Sequence, residues 1–159
     1  MTPLVRRAAA SDIEEIATIH REAFPRQRDS EAWVKATLSA VPRILTFVLA
    51  LDSSVAGYIF WAQKSGIRPS VVLELDQVAI VSQYRRQGYG ERLIRESLAL
   101  VAAELKGNGQ SLRSVLVSTR ADNDAQSLYA RILGAKVVAS IKGLYSATEV
   151  FMLAERPDA

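Results

Sequence analysis

The sequence predicts an α/β fold: a mixed sheet with helices on both faces, in a single domain over residues 1–159 with its core at about 3–155. Three observations carry this. The 159 residues are 49% hydrophobic and 23% charged, with a mean hydropathy of +0.08, the composition of an ordinary globular domain. Runs rich in β-branched and aromatic residues alternate with runs of helical spacing, in the order β-α-α-β-β-β-α-β-α-β-β. No repeat, linker or low-complexity stretch interrupts them. A chain of this size buries roughly 70% of the surface its unfolded form exposes, so it needs no disulfide or metal to hold a core.

The elements follow in order. Leu4 to Arg7 is a short strand, and Ser11-Asp12-Ile13-Glu14 has the pattern of a capping box, in which a Ser side chain and a Glu satisfy each other's orphan backbone donors. The helix behind it places Ile13, Ile16, Ala17, Ile19, His20 and Phe24 at spacings of three and four, until Pro25 stops it. Asp29 or Ser30 caps a second helix that runs to about Ser39, closed by Pro42. Ile44–Leu51 and Val55–Trp61 form a hairpin about Asp52-Ser53-Ser54. Gln63–Ser70 is a loop, and Val71–Val81 is the longest strand, with Glu74 and Asp76 two apart and so on one face. Gly90–Lys106 is strongly amphipathic and ends at Gly107-Asn108-Gly109. Ser114–Thr119 is a strand. Asp122 or Asn123 caps a helix from Asp124 to Leu133, which Gly134 ends, and Lys136–Ser140 with Thr148–Ala154 make a closing hairpin.

Composition removes several classes of function. The chain has no cysteine, so thiol nucleophiles, thiolate metal sites and acyl-cysteine intermediates are out. A single histidine, His20, leaves no His-rich metal site, and no serine sits in a G-x-S-x-G setting, so no metal is expected. The net charge of +3 is scattered apart from Arg6-Arg7 and Arg85-Arg86, too thin for a nucleic-acid partner. The N-terminus has no apolar signal region and no window approaches 18 apolar residues, so the expectation is a soluble, cytoplasmic protein with no membrane partner.

The stretch with chemistry in it is Gln77-Val78-Ala79-Ile80-Val81-Ser82-Gln83-Tyr84-Arg85-Arg86-Gln87-Gly88-Tyr89-Gly90, a strand passing through a basic, glycine-bearing turn into a helix. A helix N-terminus offers unpaired N–H groups and about half a positive charge, and glycines at 88 and 90 let those amides approach a phosphate with no Cβ between. There is no Gly-Lys-Ser/Thr end as in a P-loop, and no third glycine with a distal acid as in a dinucleotide fold. Taken alone, Arg-x-x-Gly-x-Gly also describes an ordinary tight strand-to-helix turn.

Its context gives the pattern meaning. Leu4–Arg7 followed by Asp12–Phe24, then Val78–Gly90, then Arg120-Ala121-Asp122-Asn123 through Leu133-Gly134-Ala135 resemble, in order and over nearly the whole length, the GNAT superfamily of acyl-CoA-dependent N-acyltransferases. The resemblance implies a mixed, mostly antiparallel sheet of about six to seven strands flanked by about four helices. It implies acetyl-CoA as co-substrate: Val78 and Ile80, with Ala79 between them, match the strand whose backbone pairs with the pantetheine arm. Arg86, Gln87, Gly88, Tyr89 and Gly90, with Glu91, match the amides that hold the pyrophosphate, and Arg85 or Arg86 adds a charge contact. Asn123 matches a residue near the pantetheine, and Tyr129 the tyrosine that protonates the leaving thiolate.

Acyl transfer to an amine requires removal of a proton from the acceptor, and the resemblance puts the carboxylate base at Glu74 or Asp76, acting directly or through water. A bulge in the strand that carries them, typical of the family, exposes an N–H as oxyanion donor. Without cysteine, direct attack in a ternary complex is the expected route. Some relatives that acetylate protein N-termini carry a glutamate where this chain has Ser118, and Ala135 replaces a common aromatic.

Plainer readings stand beside these. Tyr129 suits a core position with its hydroxyl at the surface, Glu74 and Asp76 suit solvated or cross-strand paired carboxylates, and His20 suits a core histidine. Phe24, Trp33, Trp61 and Tyr145 fall in segments that line the acceptor cleft in proteins the chain resembles, though core packing suits Trp61 equally. Arg26, Arg28, Asp29 and Glu31 read either as a charge-sensing cluster or as solvated surface. Val150-Phe151-Met152-Leu153 allows a homodimer through the last strands. The reading is an acetyl-CoA-dependent N-acetyltransferase for a primary amine of a small molecule or a protein; the rival is an acyl-CoA-binding regulatory module without turnover.

Overall fold

The computed structural model describes residues 1–155 and 157. Among these residues seven strands, β1 (Pro3–Arg7), β2 (Ile44–Leu51), β3 (Ser54–Gln63), β4 (Ser70–Ile80), β5 (Ser111–Arg120), β6 (Lys136–Ile141) and β7 (Glu149–Glu155), form a mixed sheet in the order β1-β2-β3-β4-β5-β7-β6. Four α-helices accompany them: α1 (Ile13–Ala23), α2 (Ser30–Ser39), α3 (Tyr89–Gly107) and α4 (Ala125–Leu133). The strand count, the helix count and the mixed sheet are those expected from the sequence. β1 runs antiparallel to β2, β4 runs parallel to β5, and β7 lies antiparallel between β5 and β6. By contacts the chain forms two compact units, Met1–Trp61 with Gln77–Leu98, and Ala62–Asp76 with the residues from Ala99 onward.

In the first unit, α1 and α2 supply one layer of the core. Ile16, Ala17 and Ile19 of α1 and Val34 of α2 cluster with Val48 of β2 and with Tyr58 and Phe60 of β3, all buried. Fully burying side chains of this size contributes about 1.5–3 kcal/mol each. Trp61, odd where Tyr58 and Phe60 are even, points to the other face of β3, where its indole N–H donates to the Ser97 hydroxyl of α3 at 2.9 Å. Helices therefore cover both faces of β3, and Trp61, fully buried, is a core residue.

The start of α1 departs from the expected capping box. The chain enters it through a 3-10 turn, Ala10–Asp12, and Ser11 makes no cap bond. Asp12 does the work instead: its carboxylate accepts the Ala9 N–H at 2.7 Å and two guanidinium N–H groups of Arg6 at 2.7 and 2.9 Å. A carboxylate beside an arginine is a stronger acceptor than a serine hydroxyl, so it takes the cap. The Arg6 bond holds the Asp12 carboxyl below its usual range, against the opposing effect of burial. At the other end Phe24 N–H donates to His20 O at 2.8 Å, and Pro25 follows.

In the second unit, β5 pairs with β7 from Ser114↔Glu155 to Arg120↔Glu149. Val150, Met152 and Ala154 alternate inward on β7, whereas every residue of the edge strand β6 is exposed. Tyr129 and Leu133 of α4 are buried, and Gly134 closes that helix at φ 69°, a left-handed conformation that glycine adopts without cost.

Removing the Asp12 carboxylate tests the cap. Asp12→Ala is expected to cost about 2 kcal/mol of unfolding free energy near pH 7, read by urea denaturation. Because the folded carboxyl lies below its unfolded value of about 3.9, its contribution is complete above that value and fades as pH falls through the lower folded one. The gap between variant and wild type closes in acid; a gap independent of pH would refute the assignment.

Candidate active site

The turn from β4 into α3 is built for an anion. After Ile80 a 3-10 turn, Ser82–Tyr84, leads to Arg86 at φ 59° and Gly88 at φ 83°, and α3 starts at Tyr89. Alternating hands along such a turn gather successive N–H groups on one concave side. Among the described residues, the backbone N–H groups of Arg86, Gln87, Gly88, Tyr89 and Gly90 donate to no group of the chain. A Cβ placed on Gly88 would meet nothing within 4 Å, so the space before the helix N-terminus is open to a ligand. The cradle fits a pyrophosphate on these grounds.

The two arginines differ. Arg85 turns back on the strand: its Nε–H donates to Ile80 O at 2.8 Å and its guanidinium lies 3.9 Å from Glu22 of α1. Arg86 is exposed and has no side-chain partner among the described residues. The charge contact expected of Arg85 or Arg86 is therefore available from Arg86. Glu91, in the first turn of α3, accepts from Arg95 at 2.9 Å. Val78 is half-buried, and Ala79 and Ile80 are buried.

One residue shaping this strand end escaped the sequence reading. A Cβ on Gly57 of β3 would meet the Ile80 side chain and come within 2.8 Å of Ala79 O, so only glycine permits this approach. The signal was there, a lone glycine inside an apolar, β-branched run. Two bonds at the ends of β3 and β4, Lys64 N–H to Val72 O and Val81 N–H to Ala56 O, both 2.9 Å, differ in register: Val72 to Val81 is nine steps and Ala56 to Lys64 eight. β4 thus carries one extra residue between them, a β-bulge.

In the second unit the parallel pairing of β4 with β5 runs from Ser70↔Ser111 to Glu74↔Leu116, and among the described residues no β5 partner follows for Leu75 or Asp76. Glu74 and Asp76, both predicted as base candidates, differ here. The Glu74 carboxylate bridges to the Lys64 ammonium at 3.1 Å. Asp76 is solvent-accessible with no ion pair among the described residues, yet surrounding protein displaces enough water to push its carboxyl above the usual range; the Glu74 charge adds to the rise and Lys64 opposes it.

Tyr129 is 7% exposed, and its phenol is pushed up by loss of water around the ring. Its hydroxyl has no hydrogen-bond partner among the described residues and is not sealed from solvent, so it is a proton donor without an internal acceptor. Asn123 behaves otherwise: its Oδ1 accepts the Ala125 N–H at 2.9 Å and its Nδ2 donates to Thr119 Oγ1 at 2.8 Å, holding the start of α4. One amide hydrogen remains for a ligand. Ser118 lies on β5 opposite Phe151. His20 is fully buried with Nδ1 2.8 Å from Ser30 Oγ, a core position. Among the described residues no group of three or more His, Cys, Asp or Glu is placed to hold a metal ion.

In the first unit, the amide cradle at the end of β4 fits a phosphate-bearing ligand. The chain belongs to the Acetyltransferase (GNAT) family, whose profile matches residues 13–135. Among solved structures it is similar to NAA60 of Arabidopsis thaliana, crystallised with acetyl-CoA (19% identity, 96% of this chain and 97% of that one, TM-score 0.76). It is also similar to the ribosomal-protein-S18-alanine N-acetyltransferase of Escherichia coli (20% identity, 98% and 94%, TM-score 0.70). A third similar structure is an aminoglycoside 6'-N-acetyltransferase complexed with coenzyme A (14% identity, 96% and 96%, TM-score 0.73). Among curated proteins there is no sequence match.

The Asp76 environment makes a stability prediction. With its folded pKa above the unfolded one, the unfolded chain gives up this proton first, so Asp76 costs stability above the unfolded value and nothing well below it. Asp76→Asn is expected to raise the melting temperature at pH 7, with the gain vanishing near pH 3. A lower melting temperature at pH 7 would refute the assigned strain.

Proposed function

We propose that the protein is an acetyl-CoA-dependent N-acetyltransferase that acetylates a primary amine of a small molecule or a protein by direct transfer. The observation that carries this is the open amide cradle at Arg86–Gly90, on a chain whose family is that of GNAT acetyltransferases. Acetyl-CoA supplies the activated acetyl group. The cradle amides and Arg86 hold its phosphates, and the backbone of Val78 to Ile80 is the strand edge offered to the pantetheine arm. Arg85 already occupies Ile80 O, which keeps a second lone pair for a donor.

Asp76 is the base we favour over Glu74. The Glu74 carboxylate is engaged with the Lys64 ammonium, whereas Asp76 has no ion pair among the described residues and its carboxyl, raised by desolvation, binds a proton more readily. Tyr129 is protonated at neutral pH and its free hydroxyl serves the leaving thiolate. The extra residue of β4 frees an N–H for the developing oxyanion. On the acceptor side the reading spans small molecules and proteins: the similar structures include an aminoglycoside 6'-N-acetyltransferase and a ribosomal-protein-S18-alanine N-acetyltransferase. Cytoplasmic residence, and a homodimer through the exposed edge of β6 and the apolar β7, belong to the same proposal.

Thiol release from acetyl-CoA, followed over a panel of amines, polyamines, aminoglycosides and peptides, tests this. Turnover with one class is expected. Tyr129→Phe should then lower kcat about a hundredfold, the usual scale for a general acid, while calorimetric affinity for acetyl-CoA stays within about twofold. Tight acetyl-CoA binding with no turnover on any acceptor would favour the regulatory module. Gly88→Val should weaken acetyl-CoA binding at least about tenfold, since its side chain would stand in the cradle; unchanged affinity would remove the phosphate site.

A further inference from the structure

In the second unit, β5 and β7 present one covered face and one more open face. On β5, Val115, Val117 and Thr119 are buried while Leu116 and Ser118 are half-buried; on β7, Val150, Met152 and Ala154 are buried while Phe151 and Leu153 are half-buried. The unbroken register sets Leu116, Ser118 and Arg120 opposite Leu153, Phe151 and Glu149, so these side chains share the open face. Glu74 pairs with Leu116 and belongs to it as well. On β4, buried Val71, Leu73 and Leu75 alternate with the more open Val72, Glu74 and Asp76, which carries the same face on to Asp76.

Glu149 breaks the pattern of that face. By register it belongs with the half-buried residues, yet it is 6% exposed. Its carboxylate makes no hydrogen bond or ion pair among the described residues, and its oxygens are not sealed from solvent. Arg120, its partner across the ladder, is engaged elsewhere: Nε and Nη2 donate to the two Asp122 oxygens, each at 3.0 Å. Loss of water lifts the Glu149 carboxyl above its usual range, with the Arg120 charge opposing the rise. A carboxylate that has given up most of its water, lacks a partner and still opens outward gains more from a cation than a fully solvated acid does.

The same face sets the distance to Asp76, the base favoured above. Continuing the β4–β5 register puts Asp76 level with Ser118 and Phe151, and Glu149 lies two residues beyond Phe151. At about 5 Å between strands and about 3.4 Å per residue, the main chain at Asp76 and at Glu149 is roughly 12 Å apart. Between them stand the short side chain of Ser118 and the ring of Phe151, a bed that suits methylene groups.

We propose that Glu149 holds a second positive charge on the acceptor, an ammonium joined by a flexible apolar chain to the amine that reacts at Asp76. The inference rests on the acetyltransferase reading and deepens it: the acceptor is doubly charged, either a diamine or polyamine or a peptide with a lysine close to its N-terminus.

Two matched pairs separate these sources: octane-1,8-diamine against octylamine, and a tripeptide amide with lysine in third place against the same peptide with norleucine there. Each is titrated by ligand-observed NMR into the full chain loaded with CoA, which has no acetyl group to give, and assayed by thiol release with acetyl-CoA. In at least one pair the doubly charged member should bind at least about tenfold more tightly, with its advantage in turnover carried by KM rather than kcat. Glu149→Gln should bring the two members of that pair within about twofold of each other, and Glu149→Asp should keep part of the preference. Glu149→Gln should also melt higher at neutral pH, because it removes a charge that its surroundings disfavour, which shows that the variant is folded. No preference in either pair, or a preference intact in Glu149→Gln, would overturn the proposal whatever the turnover. A lower melting temperature for Glu149→Gln would overturn it too, by showing that the carboxylate is already partnered. Charge-dependent binding that Glu149→Gln abolishes, with no turnover of any acceptor, would keep the subsite and overturn acetyl transfer instead.

Discussion

The end of β4 is the constraint on which the candidate site depends. Gly57 lets β3 close to the main chain at Ala79, Arg85 ties the carbonyl of Ile80, and the left-handed steps at Arg86 and Gly88 then turn the chain into α3 with its amides outward. Each step is local. A Cβ at Gly57 would force β3 and β4 apart, and without the Arg85 bond the strand end would have one restraint fewer. The cradle is a rigid strand and a long helix meeting at a turn whose orphan donors are left for a ligand rather than capped by the protein.

Arg85 shows how a charge near a phosphate site can serve position more than binding. Its neighbour Arg86 is free, while Arg85 bridges the strand end and Glu22 of α1. The Glu22 contact is long and solvent-exposed, so it is worth little by itself. The Ile80 bond is the stronger of the two, being short and charge-assisted.

Much of this was legible in the sequence. The alternation of spacing gave the order of strands and helices, and the glycines at 88 and 90 marked the turn because few other signals put small residues between a strand and an amphipathic helix. Ser11 misled, since a capping-box pattern records which residues stand three apart but not that Arg6, from the preceding strand, recruits Asp12. The difference between Glu74 and Asp76 was equally hidden. Two residues apart on one strand they look alike, and what separates them is Lys64, beyond a loop of Gly and Pro whose path no local pattern fixes.

Loss of water raises both Asp76 and Tyr129, and the chemical consequences differ. For a carboxylate the rise brings the group nearer to neutral pH and makes it a better base. For a phenol it moves the group further from neutral pH, which guarantees the proton but makes it harder to give away. An ordinary thiol titrates near 8.5 and an ordinary tyrosine near 10, so full transfer from Tyr129 to a thiolate is uphill by more than about 2 kcal/mol. In the proposed reaction Tyr129 therefore stabilises a developing thiolate by hydrogen bonding, with the proton crossing only as charge accumulates. An acid of this kind eases departure of the thiol without being the sole route to it, whereas an ammonium has no lone pair until a base has acted. In the proposed reaction the base is the more stringent requirement of the two, and the cost in stability falls at Asp76, the proposed base, where a carboxylate is held in surroundings that disfavour its charge.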